Sequence, residues 1–266
     1  NKPNFLIVHL ISSLPLIQLI FFNFETKFIL RISGLPRLGI VRKFIWKLAA
    51  KKIYFITCPT KSTFNYIKSL NIIDPDKLKV LYDPIIEVRE INKKKRENTN
   101  NKDNFFLAVG RLTKQKNFLF LCKAFKNIIY TNSEYKKIKL FIAGDGEEKS
   151  TILSYLRKNN LENNIYLIGY KKNIFPLFKD AKGFILSSLW EDPGFVLIEA
   201  GMCRTPIFSS DALPGPNEII QDNFNGTLFK NNKIDSFIEK FPIFINNLRN
   251  NKLRLNNLKT IKKFTI

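Results

Sequence analysis

The chain has 266 residues, 45% of them hydrophobic, enough for one large or two small domains with a true core. Lys and Arg number 44 against 22 Asp and Glu, so the formal net charge is +22. Three well-separated cysteines, Cys58, Cys122 and Cys203, exclude a disulfide framework and a C-x-x-C metal pair, and the lone His9 excludes a histidine-rich metal site. The charge is unevenly spread. Residues 1–70 carry 11 basic side chains and one acid, Glu25, whereas residues 101–229 carry 17 against 13. A basic lobe beside a nearly balanced one favours an anionic surface as partner, lipid headgroups ahead of nucleic acid. The competing explanation is compositional drift toward Lys, Asn, Ile and Phe.

In chain order, Phe5–His9 reads as a strand and 14–22 as a buried helix. His9, Pro15 and Gln18 interrupt the apolar run too often for a membrane span. A second strand, 27–32, ends at Ser33-Gly34. The spacing then predicts a basic amphipathic helix over 42–52, with Phe44, Ile45, Leu48 and Ala49 on its apolar side and Lys43, Lys47 and Lys51 between them. From Lys27 to Lys52 there are eight basic residues and no acid, a pattern that is either simply solvated or meets an anionic membrane. Strands at 53–58 and 79–82 complete a first domain over residues 1–83. Residues 84–103, with Lys93-Lys94-Lys95-Arg96, are polar and aperiodic and read as a linker.

From 104 to 266 strands alternate with helices: strands at 105–109, 140–143, 165–168, 184–186 and 207–209, and helices at 118–129 and after Glu147. This predicts a doubly wound parallel sheet that binds ligands past the C-terminal ends of its strands. There the polar residues fall: Gly110-Arg111 with Lys114 and Lys116, then Gly144-Asp145-Gly146, Gly169-Tyr170 and Gly215-Pro216-Asn217-Glu218. The third glycine of a dinucleotide fingerprint would stand at Lys149, which argues against a dehydrogenase. After Asn225-Gly226 the chain reads as helical and polar.

The organising stretch is 187–201. A short strand breaks at Ser187-Ser188, turns at Pro193-Gly194 and enters an apolar helix from Phe195 to Met202, with Glu191 before the turn and Glu199 inside the helix. A helix N-terminus after a Gly-containing turn offers free N–H groups to a phosphate. Carboxylates beside it suit a neutral, hydroxyl-rich group such as a sugar or ribose; an acidic residue near a helix start is also common for dipole reasons alone.

Glu191, seven residues and Glu199, with Pro193-Gly194-Phe195 between, resembles the paired-glutamate motif of retaining family-4 glycosyltransferases, enzymes of the GT-B fold with two Rossmann-like domains. The usual Gly-Phe-Gly after the first Glu is Asp192-Pro193-Gly194 here, and Pro193 lacks an N–H. The resemblance runs in order from Ala108 to Phe229 and is weaker before residue 83. It implies an α/β GT-B chain: a partial acceptor domain at 1–83, a linker at 84–103 and a nucleotide-sugar domain at 104–266. A complete enzyme of the family is usually longer, and the chain opens on Asn1 rather than Met, so it is expected to be part of a longer protein.

The resemblance further implies a donor site of Gly110, Arg111, Lys116, Gly169, Tyr170, Glu191, Pro193, Gly194, Phe195 and Glu199. Arg111 and Lys116 would hold the diphosphate, Glu199 the ribose hydroxyls and Glu191 the donor sugar, with Glu191, Arg111 and Lys116 carrying the chemistry. The family's His-Gly pair corresponds to Ser33-Gly34, so its His is missing; Arg31 and Arg37 flank that position and could meet an acidic acceptor. No metal or cofactor is implied, because the two cations stabilise the leaving diphosphate. The expected partners are a nucleotide sugar, a glycan or lipid-linked acceptor and an anionic membrane surface, without nucleic acid. The expected place is the cytoplasm, peripheral to the inner face of the plasma membrane. The alternative is an inactive basic binding protein with the same fold.

Overall fold

Short apolar runs alternate with amphipathic segments, and each run closes into a parallel sheet because a helix lies between successive strands. The computed structural model describes residues 2–9, 13–36, 38–84, 87–97 and 104–265, and the chain divides into two compact units, Asn1–Asp83 and Pro84–Ile266.

The first unit contains β1 (Phe5–His9), α1 (Ser13–Phe21), β2 (Lys27–Arg31), α2 (Ile40–Ala50), β3 (Phe55–Cys58), α3 (Lys61–Ser69) and β4 (Leu78–Val80). Its sheet runs β1-β2-β3-β4, parallel throughout. Thr60 caps α3, its side-chain oxygen accepting from the Thr63 N–H at 3.1 Å. Val8, Leu16, Leu19, Phe28, Leu30, Trp46, Ile56 and Ile67 form the core.

Two expectations need correction here. Helix α1 is not buried as a whole: Leu16 and Leu19 face the core, while Leu14 and Phe21 are exposed. The stripe of α2 is also turned from the one expected. Trp46, Ala49 and Ala50, at i, i+3 and i+4, are its buried residues, because the indole fills the core. Phe44 and Leu48 are left exposed.

The second unit contains α4 (Val88–Lys94), β5 (Phe105–Val109), α5 (Phe118–Thr131), β6 (Lys139–Ala143), α6 (Lys149–Lys158), β7 (Ile165–Gly169), α7 (Phe175–Asp180), β8 (Gly183–Leu186), β9 (Trp190–Glu191), α8 (Phe195–Met202), β10 (Ile207–Ser210), β11 (Leu213–Pro214), α9 (Pro216–Ile219), β12 (Thr227–Phe229), α10 (Ile234–Asn247) and α11 (Asn251–Ile261). The main sheet is parallel in the order β12-β10-β8-β5-β6-β7, and β9 pairs with β11 in a two-stranded ribbon. The chain fills one side from β5 to β7, then returns to start the other side at β8. The C-terminal ends of β5 and β8 therefore bound a switch point, where an open α/β sheet binds its ligands.

Part of the segment read as an aperiodic linker is helix α4. Tertiary contacts hold it: Ile91 is buried, Asn173 donates to the Lys94 carbonyl at 3.1 Å, and the Lys95 ammonium donates to the Met202 carbonyl at 3.2 Å. Residues 85, 86 and 98–103 of that segment lie outside the described residues. The polar tail was also under-read. β12 follows Gly226, and α10 sends Phe237, Phe241 and Phe244 into the core against Phe106, Phe208 and Phe229. Their i, i+4, i+7 spacing was masked by the Lys and Asn around them.

Candidate active site

The loops after β5, β6 and β7 are joined backbone to backbone. Gly110 N–H donates to Ala143 O, Gly144 N–H to Gly169 O and Leu112 N–H to Asp145 O, all at 2.9–3.0 Å. The approach is close enough that a Cβ on Gly144 would lie 1.9 Å from the Gly110 carbonyl oxygen. Glycine at 144 is thus required by neighbouring backbone, not by a ligand.

Past these joined ends lies a cleft of about 570 Å³, lined among others by Gly110, Arg111, Tyr170, Glu199, Lys94 and Lys172. Four of the predicted donor residues therefore share one concavity. Arg111 is exposed and has no ion pair with any described residue. Tyr170 is 76% exposed, an aromatic face open to a planar group. Lys94, Lys171 and Lys172 are cations that sequence reasoning missed as part of the site. Lys94 was hidden inside the apparent linker, and the other two follow Tyr170 directly.

Glu199 reaches the cleft from α8. Burial pushes its carboxyl up to about 7, although Lys116 and Lys94 pull in the other direction. A carboxyl raised in this way accepts hydrogen bonds when ionised and can also donate one when protonated.

Beside the cleft sits a second constellation. The Lys116 chain crosses Gly110, so that a Cβ there would lie 3.2 Å from it, and its ammonium pairs with Glu191 Oε1. Glu191 is 6% exposed, and the same oxygen accepts from Ser188 Oγ at 2.6 Å. The turn beyond is held by α9's leading loop. Gly215 N–H donates to the Glu191 carbonyl at 2.9 Å, and a Cβ on Gly215 would lie 1.9 Å from Pro193 O. Pro193 and Gly194 are buried in this turn and Phe195 is exposed. Gly194 precedes α8 with φ +94°, leaving the helix's first N–H groups at the turn. Pro193, Gly194, Phe195, Lys116 and Glu191 thus form a group next to the cleft, and Gly169 enters it through the bond to Gly144.

In the first unit the residues expected near an acceptor are committed differently. Arg31 donates to Asp83 Oδ1 at 2.6 Å and to the Leu81 carbonyl at 2.7 Å, so its guanidinium braces the end of the sheet instead of being free for an acidic acceptor. Ser33 Oγ is 2.8 Å from His9 Nε2. Gly34 follows with φ +77°, and Arg37 lies outside the described residues. The three cysteines form no disulfide, and burial pushes the Cys122 and Cys203 thiols up to about 12. Among the described residues no group of three His, Cys, Asp or Glu side chains that could hold a metal is formed.

Two Rossmann-like units, mostly of parallel strands, with polar residues gathered at a switch point define a GT-B architecture. The chain belongs to the glycosyl transferases group 1 family, whose model matches residues 89–260. It is 34% identical over 251 residues to an uncharacterized glycosyltransferase of Methanocaldococcus jannaschii, covering 84% of this chain and 59% of that protein. It is 28% identical over 225 residues to the N-acetylgalactosamine-N,N'-diacetylbacillosaminyl-diphospho-undecaprenol 4-alpha-N-acetylgalactosaminyltransferase of Campylobacter jejuni, covering 85% of this chain and 60% of that protein. The chain thus spans about three fifths of the length of these curated relatives. Among solved structures, Anabaena HepE in complex with UDP and glucose superposes with a TM-score of 0.74 at 14% identity, over 97% of this chain and 73% of that one.

The raised Glu199 carboxyl has a measurable consequence. The folded state holds this proton to about pH 7 whereas the ordinary value is 4.5, so between those values the folded state binds more protons than the unfolded state. Stability is therefore fully present at the acid end of the window and falls as pH rises through it. Chemical denaturation across the window should show wild type losing stability relative to Glu199→Gln, the two curves converging at its acid end. Parallel curves would contradict the assignment.

Proposed function

We propose that this chain is the greater part of a retaining, family-4 glycosyltransferase that moves a sugar from a nucleotide-diphosphate donor to a glycan or lipid-linked acceptor. The observation that carries this reading is the cleft at the switch point, which gathers Gly110, Arg111, Tyr170 and Glu199 beside the Lys116–Glu191 pair. In this reading residues 104–266 hold the donor and residues 1–83 belong to the acceptor side. The demanding event is departure of the diphosphate. A guanidinium fork at Arg111, the Lys116 ammonium and the amides at the start of α8 stabilise the charge that grows there. Lys116 is already paired, but an ammonium has three donors and can hold Glu191 and a phosphate oxygen together. In this reading Glu199 takes the ribose hydroxyls, Tyr170 and the Gly169 backbone the base, and Glu191 the donor sugar. Retention and the family-4 assignment rest on the glutamate spacing.

Arg111→Ala and Lys116→Ala should each weaken binding of a nucleoside diphosphate by ~1.5–3 kcal/mol, the range for hydrogen bonds to charged groups. Titration calorimetry measures this, and affinities equal to wild type in both variants would remove the donor-site reading. Detectable sugar transfer or donor hydrolysis separates the enzyme from an inactive binding protein of the same fold.

A membrane-surface role for the first unit is supported by one observation. Ile40, Val41 and Phe44 at the start of α2 are 89%, 73% and 63% exposed, alternating with Arg42, Lys43 and Lys47. No described helix is long and apolar enough to cross a membrane. An exposed apolar edge among cations suits the headgroup region of an anionic cytoplasmic leaflet, where each cation contributes about 1 kcal/mol. A relative whose name specifies a diphospho-undecaprenol acceptor is consistent with a lipid-linked substrate met at such a surface. Neutralising Arg42, Lys43, Lys47 and Lys51 together should abolish co-sedimentation with anionic vesicles, and salt should weaken it in wild type. Neutralising Lys136, Lys137, Lys158 and Lys179 should leave it largely intact. Equal loss in both variants would mean that diffuse charge alone is responsible.

A further inference from the structure

We propose that Ser188 is a positioning residue that fixes the Glu191 carboxylate, and through it the Lys116 ammonium, in the geometry used by the donor; the proposal rests on the donor reading above. A serine hydroxyl has one proton to give. Ser188 is fully buried and gives that proton to Glu191 Oε1 at 2.6 Å. The Lys116 ammonium is directed at the same oxygen. Both donors therefore converge on Oε1, and among the described residues Oε2 has no donor, which leaves it to accept from a ligand hydroxyl. Without the Ser188 hydroxyl the carboxylate is held from one side only and is free to rotate, which loosens its hold on the Lys116 ammonium.

The backbone around Ser188 does not depend on this bond. Ser187 Oγ donates to Lys116 O at 2.9 Å, and Leu189 N–H to Gln115 O at 2.8 Å. Asn231 donates to Leu189 O at 2.7 Å and Gln115 to Trp190 O at 2.9 Å. Ser210 Oγ donates to the Ser188 carbonyl at 2.8 Å, a contact that any residue at 188 retains. Five anchors thus tie residues 187–190 to the ends of α5's leading loop, β10 and the turn after β12, and none uses the Ser188 side chain. The hydroxyl serves the carboxylate. Its nearest comparison is Ser209, equally buried on β10, whose Oγ donates to the Ser210 carbonyl at 2.9 Å and makes no hydrogen bond to Glu191 or Lys116.

Ser188→Ala and Ser209→Ala in the 266-residue chain test the proposal. Turnover of a nucleotide-sugar donor should fall at least tenfold in Ser188→Ala with KM changed less than threefold, while Ser209→Ala stays within twofold of wild type in both. Similar losses in the two variants, tracking their melting temperatures, would reduce Ser188 to a packing role and overturn the proposal. A readout independent of turnover is the rate at which an amine-reactive reagent labels Lys116, followed by mass spectrometry. Removing the hydroxyl should raise that rate at least threefold in Ser188→Ala and leave it unchanged in Ser209→Ala. If wild type turned over no donor but the labelling rates differed as stated, the transfer reading would fail while the positioning role stood. An unchanged labelling rate in Ser188→Ala would overturn the positioning role whatever the turnover.

Discussion

The Lys116–Glu191 ion pair is the contact on which the second unit's polar chemistry depends. It joins the loop after β5 to the short strand β9, and so ties the two halves of the sheet together above the switch point. Both side chains are largely out of water, so removing one partner would leave a buried charge uncompensated, typically a loss of about 3–5 kcal/mol. That cost keeps the pair together in the absence of a ligand. On the proposed reading a diphosphate need not break it, because an ammonium has three donors and this pair uses one.

The same pair shapes its neighbour. Lys116 and Lys94 both act on Glu199, yet burial outweighs them and the carboxyl stays protonated to about pH 7. Two glutamates eight positions apart thus stand in different surroundings. Glu191 is buried and held by a salt bridge and a hydroxyl, whereas Glu199 is half-buried in the wall of the cleft. Such a division lets one carboxylate anchor a cation while the other meets hydroxyl groups. It follows from placement on opposite sides of the turn at Pro193 and Gly194, which Gly215 locks by approaching Pro193 with no room for a side chain.

Much of this was legible in the sequence. Apart from β12, the strands of the two main sheets stood out as apolar runs, and α8 was placed from Phe195 to Met202 by its Gly194 start. The paired glutamates and the Arg111–Lys116 spacing lie along the sheet edge where the cleft opens. What could not be read was partnership. Nothing in the spacing says that Lys116 meets Glu191, 75 residues away, or that Arg31 is spent on Asp83. Helix α4 was obscured by its charges, since one buried residue, Ile91, carries its packing. The aromatic face of α10 was likewise lost in a Lys- and Asn-rich composition that lowers local hydropathy without disturbing the helical period. Ser188 read as the end of a strand, and its role depends on a side chain three residues on that folds back to it.

A crystal structure of the chain with a nucleoside diphosphate tests the central claim most directly. The account predicts diphosphate oxygens within hydrogen-bond distance of both the Arg111 guanidinium and the Lys116 ammonium, above Gly110, with the ribose toward Glu199 and the base toward Tyr170. Lys116 should still touch Glu191 Oε1. A diphosphate bound elsewhere on the second unit, or one that leaves Arg111 and Lys116 untouched, would contradict it.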